Sequence, residues 1–172
     1  MLVREATLDD TPGIARVHVD TWRAAYAGII PAAHLAGLSY EAREQRWRDN
    51  LTNAAPGRFT LVAEEAGEVV GFSGGGPERG ADAEYRGEVY AVYVRPGRQR
   101  RGIGRQMVQA CARRLLVQRL GSVLIWVLAD NKPARGFYER LGGRPVREQT
   151  VEIGGAWLRE VGYGWPDARA LL

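Results

Sequence analysis

A turn rich in glycine and arginine joins an apolar strand to a long amphipathic helix, and this junction constrains the fold more than any other stretch. Glu88-Val89-Tyr90-Ala91-Val92-Tyr93-Val94 reads as a β segment that stops at Arg95-Pro96-Gly97. From Gly102 to Leu120, Ile103, Met107, Cys111 and Leu115 recur four apart, the spacing of one helical face. A continuous apolar strand, Ser122 to Ala129, follows at once. Strand, helix and strand in this order form a parallel crossover, which requires a sheet to lie on.

The rest of the chain supplies that sheet. Val3 to Thr7 reads as a short strand, and Pro12 opens a helix over about 11–26 in which Ala15, Val19, Trp22 and Tyr26 share a face. A second helical region is predicted over 32–53. Strands follow at 58–65 and 68–75, joined as a hairpin at Gly67-Glu68, and a loop rich in Gly, Asp and Glu covers 76–87. Lys132 to Leu141 reads as a short helix, and two last strands, 145–153 and 157–165, meet at Gly154-Gly155. The fold class is therefore α/β: a mixed, mostly antiparallel central sheet with the parallel crossover 88–94/102–120/122–129, flanked by helices. No repeat or linker divides residues 1–172, so a single domain is expected, and a chain of that size buries about 70% of its unfolded surface. Its one cysteine, Cys111, rules out a disulfide framework and a multi-cysteine zinc site. His18 and His34 form no recognisable metal pair, so no metal is expected. With no apolar run near 18 residues and no signal-like Met1-Leu2-Val3-Arg4-Glu5, the expectation is a soluble cytoplasmic protein with no membrane partner.

The net charge is +4, but it is unevenly spread. Between Val89 and Ala129 there is no acid and there are eight arginines: 95, 98, 100, 101, 105, 113, 114 and 119. The remainder is net negative, so an anion is expected beside the glycine turn. Glycines at 102 and 104 allow close approach to the backbone, and first-turn N–H groups lack intrahelical acceptors. Arginines add charge-assisted donors. The features describe a pyrophosphate cradle. A Walker A string is absent, and Met107 breaks the dinucleotide pattern G-x-G-x-x-G. What remains is Gln99-x-x-Gly102-x-Gly104.

On this motif, on Val92-Tyr93-Val94-Arg95-Pro96 before it, and on Asn131-x-x-Ala134-x-x-Phe137-Tyr138-x-x-x-Gly142 after it, the chain resembles the GCN5-related N-acetyltransferases over essentially its whole length. The resemblance implies acetyl-CoA as co-substrate. It implies that backbone groups in the run Gln99, Arg100, Arg101, Gly102, Ile103, Gly104 and Arg105 hold the pyrophosphate, and that Val92, Tyr93 and Val94 pair with the pantetheine arm like an added strand. Asn131 would bond the pantetheine or cap its helix. Tyr138 would protonate the departing thiolate, as a catalytic acid. Glu88 would be the base, directly or through water, and Trp22, Tyr26 and Glu88 would contact the acceptor. The acids Glu78, Asp82, Glu84 and Glu88 in and after the preceding loop would favour a cationic amine.

The expected reaction is direct acetyl transfer to a primary amine of a small molecule or polyamine. A peptide N-terminus or lysine is the alternative acceptor, and a homodimer is left open. The other class is a non-catalytic module binding CoA or nucleic acid. Residues 95–119 contain no aromatic for stacking on bases, which counts against nucleic acid. Gly71-Phe72-Ser73-Gly74-Gly75 matches the nucleophile-elbow string G-x-S-x-G, but both histidines precede Ser73 and no helix follows it.

Overall fold

The structure is a computed structural model describing all 172 residues. Seven strands form one sheet: β1 (Leu2–Glu5), β2 (Phe59–Glu65), β3 (Glu68–Pro77), β4 (Gly87–Val94), β5 (Val123–Leu128), β6 (Arg144–Ile153) and β7 (Ala156–Trp165). Their spatial order is β1-β2-β3-β4-β5-β7-β6, and every neighbouring pair is antiparallel except β4–β5. The mixed, mostly antiparallel sheet and its crossover are as the sequence predicts.

Local chemistry accounts for the elements. The β2–β3 hairpin turns at Ala66 and Gly67, both with positive φ (49° and 81°), the backbone of a two-residue turn matched to strand twist. Helix α1 (Thr11–Ala25) carries Pro12 in its first turn and buries Ile14, Ala15, Val17, His18 and Val19. The helical region predicted over 32–53 is two helices, α2 (Ala32–Ala36) and α3 (Tyr40–Thr52). Gly37 and Leu38 break it, and Ser39 restarts it by accepting the Ala42 N–H at 3.2 Å. Helix α4 (Ile103–Val117) stops short of the predicted Leu120, and α5 (Lys132–Arg140) follows β5. A 3-10 turn at Ala168–Leu171, not foreseen in the sequence, packs against α4.

Two apolar layers cover the sheet. On one face Val108, Cys111, Ala112 and Leu115 of α4 meet Val89, Ile125, Val127, Tyr163 and Trp165. Each such buried aliphatic side chain contributes about 1.5–3 kcal/mol. On the other face α1 packs Ile14 and Val17 on Val62 and Phe72, and Ile30 and Leu35 pack on Leu128. Cys111 is fully buried and its thiol donates to Ser73 Oγ at 3.3 Å, which places the serine of the elbow-like string inside the core.

One irregularity positions the site. Gly74 pairs with Ala91 but Gly75 with Val89, so Tyr90 is an extra residue in β4, a bulge that bends the strand. The parallel β4–β5 ladder accordingly covers just Gly87–Val89 against Val123–Ile125. Beyond it β4 stays with β3 while β5 follows β7, and the sheet opens between them.

Candidate active site

The opening leads into a cavity of about 700 Å³ lined from both faces of the sheet. Ala91, Val92, Tyr93 and Val94 border it on one side, and Ile125 to Leu128 on the other. Past the bulge, the β5-facing edge of β4 has no strand partner, so an extended chain has a backbone ladder to join.

Gln99, Arg100, Gly102, Gly104 and Arg105 line the cavity where α4 begins. Arg100 (φ 60°) and Gly102 (φ 82°) both adopt the left-handed conformation, and the seven N–H groups from Gln99 to Arg105 donate no hydrogen bond within the protein. Such a run of free donors at a helix N-terminus is an anion cradle. A Cβ on Gly104 would meet the Phe137 ring at 3.4 Å, so glycine there lets α4 and α5 converge on the cradle. The Gln99 side chain does not face an anion: its amide donates to the Val94 carbonyl at 3.0 Å and closes the loop onto β4. Arg101 turns away to Glu65, and the Ile103 side chain is buried with Met107 and Val94, leaving both able to act through the backbone alone.

The arginines divide. Arg95, Arg98, Arg101 and Arg114 are ion-paired to Glu68, Glu65, Glu65 and Glu5, whereas Arg100 and Arg105 reach the cavity without an acidic partner. Lys132 and Arg140 of α5 join them there, two cations that the sequence reading passed over.

Asn131 caps α5, its Oδ1 accepting the Ala134 N–H at 3.2 Å, and it also borders the cavity. Tyr138 enters from the α4–α5 face, packed by Phe137 and by Trp165 edge-on. Its hydroxyl makes no hydrogen bond within the protein, and burial raises its pKa, so the phenol keeps its proton.

From the α1 face come Trp22 and Tyr26, whose rings meet edge-on at 5.2 Å, and the Tyr26 and Tyr93 hydroxyls lie 3.3 Å apart. Burial raises the pKa of both phenols. Arg79, Tyr90, Trp126, Gln149 and Glu160 complete this side.

Glu88 is not among the lining residues. Its carboxylate is 1% exposed and accepts the Arg79 backbone N–H at 3.2 Å together with the Arg79 guanidinium. The other acids are also taken up locally. Glu78 accepts N–H groups of its own loop, and Asp82 and Glu84 pair with Arg147. The acidic residue that does reach the cavity is Glu160. Its sequence signal is a carboxylate in the inward row of β7, two residues from Leu158, but without knowing the neighbours of β7 that row has no assigned face.

The sequence profile of the Acetyltransferase (GNAT) family matches residues 20–143. The chain belongs to this family. It is 41% identical to the uncharacterized N-acetyltransferase YuaI of Bacillus subtilis, over 98% of this chain and 95% of that one. It is 32% identical to the L-methionine sulfoximine/L-methionine sulfone acetyltransferase of Pseudomonas aeruginosa, over 91% of this chain and 88% of that one. Among solved structures, the PaiA N-acetyltransferase of Thermoplasma acidophilum in complex with coenzyme A shares the fold, with TM-score 0.69 at 17% identity over 92% and 96% of the two chains. As a GNAT protein the chain is an N-acetyltransferase that takes its acetyl group from acetyl-CoA. The free N–H run and the open β4 edge suit a pyrophosphate followed by an amide-bearing arm.

Proposed function

We propose that the chain transfers acetyl directly from acetyl-CoA to a primary amine of a small molecule. The reading is carried by one observation, the cavity that passes through the split sheet. Its α4–α5 side has free N–H donors, unpaired cations and a protonated tyrosine; its α1 side has aromatics and one carboxylate. A thioester threaded along β4 would present its sulfur towards Tyr138 and its carbonyl to an amine on the α1 side. Kinship with the methionine sulfoximine/sulfone enzyme supports a small acceptor.

An ammonium loses one proton to solvent, and the nitrogen lone pair attacks the thioester carbon. The oxyanion so formed would be met by a free N–H of β4 near Val92 or Tyr93. The C–S bond breaks as Tyr138 gives its proton to sulfur, and the second proton shed by nitrogen restores Tyr138. No covalent enzyme intermediate is needed. The one thiol, Cys111, is buried in the core with its pKa pushed up to about 12. Glu88, held by Arg79, is assigned to fixing that arginine, and it would receive the amine's proton only through water.

An amine panel assayed for CoA release tests this reading. Small primary amines should turn over, and Tyr138→Phe should lower kcat at least about 100-fold, the usual worth of a general acid, with little change in KM for acetyl-CoA. Unchanged turnover removes Tyr138 as the acid. Acetylation of peptides with no small amine accepted removes the small-molecule reading.

A further inference from the structure

Six charged side chains line the cavity, and Glu160 is the sole acid among them. Arg100, Arg105, Lys132 and Arg140 come from the α4 and α5 side, where a polyanionic co-substrate accounts for them. Arg79 and Glu160 belong to the α1 side and have no such explanation.

Both are built to be held from one side and free on the other. Glu160 sits in β7 opposite Leu128 of β5 and Gln149 of β6. Leu128 and Leu158 of the same row pack with Ile30 and Leu35, so Glu160 is a carboxylate in an apolar row. Gln149 Nε2 donates to its Oε2 at 2.8 Å, and Oε1 makes no hydrogen bond. Arg79 mirrors this arrangement. Its Nε and Nη2 are bound by the buried Glu88, its guanidinium lies 4.5 Å from the Tyr90 ring centre, and Nη1 makes no hydrogen bond. No ion pair joins Arg79 to Glu160, although Glu160 is close enough for its charge to help raise the Arg79 pKa. An oriented anion and an oriented cation, each with an unused hydrogen-bonding position, border one recess whose remaining walls are Trp22, Tyr26, Ile30, Leu128 and Ile153.

We infer that the acceptor is a small amino acid with an apolar side chain, its ammonium held by Glu160 and its carboxylate by Arg79. This rests on the acetyl-transfer reading above and narrows it to a zwitterion. Glu88 then acts as a positioning residue: it holds the guanidinium from behind so that Nη1 faces the substrate.

The test is calorimetric binding to the full chain saturated with CoA, alongside the CoA-release assay. The probes are L-methionine and L-phenylalanine, their decarboxylated amines, and their deaminated acids. Each amino acid should bind at least tenfold more tightly than its amine or its acid. Glu160→Gln should weaken amino acid and amine at least tenfold while leaving the acid unchanged, and Arg79→Lys should weaken amino acid and acid while sparing the amine. Unchanged melting temperatures establish that both variants fold. Equal binding of amine and amino acid, or an amine indifferent to Glu160→Gln, overturns the inference. Turnover of simple amines with no binding of amino acids overturns it alone, and failure of every amine to release CoA overturns the acetyl-transfer reading itself.

Discussion

His18 is buried behind Trp22 and Tyr93, two rings that line the cavity. Its ring stacks on Phe72 at 5.6 Å, Trp47 donates to its Nδ1 at 3.2 Å, and its Nε2 is buried without a partner. Burial, with Arg43 and Arg46 nearby, lowers its pKa from 6.5 to about 3. The unfolded chain therefore binds a proton below about 6.5 that the native chain refuses, so this contribution to stability is complete above about 6.5 and declines as pH falls towards 3. Urea unfolding between pH 7 and 4 should show the decline, on the order of one proton's slope, and His18→Phe should flatten it. Asp10 adds a lower window. The Arg4 guanidinium and the Thr7 N–H hold its pKa at about 2, so its contribution is full above about 4 and lost as pH falls through 2. Asp10→Asn should lower the melting temperature at pH 7 and leave it nearly unchanged near pH 2, a difference read directly by thermal scans. The motif around Tyr138 and Asn131 singled them out in the sequence, and both line the cavity. Arg79 and Glu160 were not, because each is defined by a partner, Glu88 or Gln149, whose position depends on the folded sheet.

In the proposed reaction, co-substrate binding turns on the start of α4. Gly102 at φ 82° tolerates no Cβ without strain of about 1–2 kcal/mol, and Gly104 has the Phe137 ring 3.4 Å from where a Cβ would lie. Gly104→Leu should raise KM for acetyl-CoA at least tenfold, with the acceptor's KM far less affected. Steady-state kinetics with each substrate varied separates the two effects. Arg100→Ala and Arg105→Ala should each raise KM for acetyl-CoA severalfold and weaken its dependence on salt, whereas Arg98→Ala, at an arginine paired to Glu65, should not. The arginine run was visible in the sequence as one basic block. Its division into paired and unpaired members follows from Glu65 and Glu68, which the β2–β3 hairpin brings alongside, and from Glu5 of β1.

For the whole molecule, the cavity exists because one extra residue, Tyr90, bends β4 away from β5. A ligand seated there ties the two halves of the sheet together. At 100 times its Kd, acetyl-CoA should stabilise the native state by about 2.7 kcal/mol, a melting-temperature rise of roughly 5–10 °C for a domain of this size. Differential scanning with and without acetyl-CoA measures it, and no shift would remove the co-substrate site. No helix is long and apolar enough to cross a membrane. By itself, the sequence determined the element order, the parallel crossover and the glycine turn that opens α4, because these rest on local periodicity, turn chemistry and a contiguous motif. Tertiary structure alone decided that β7 inserts between β5 and β6, that the sheet splits after Val89, and that Glu88 is consumed by Arg79 while Glu160 faces the recess. Those outcomes depend on which strands pair and how far. Pairing is a long-range competition for backbone partners that no single stretch of chain encodes.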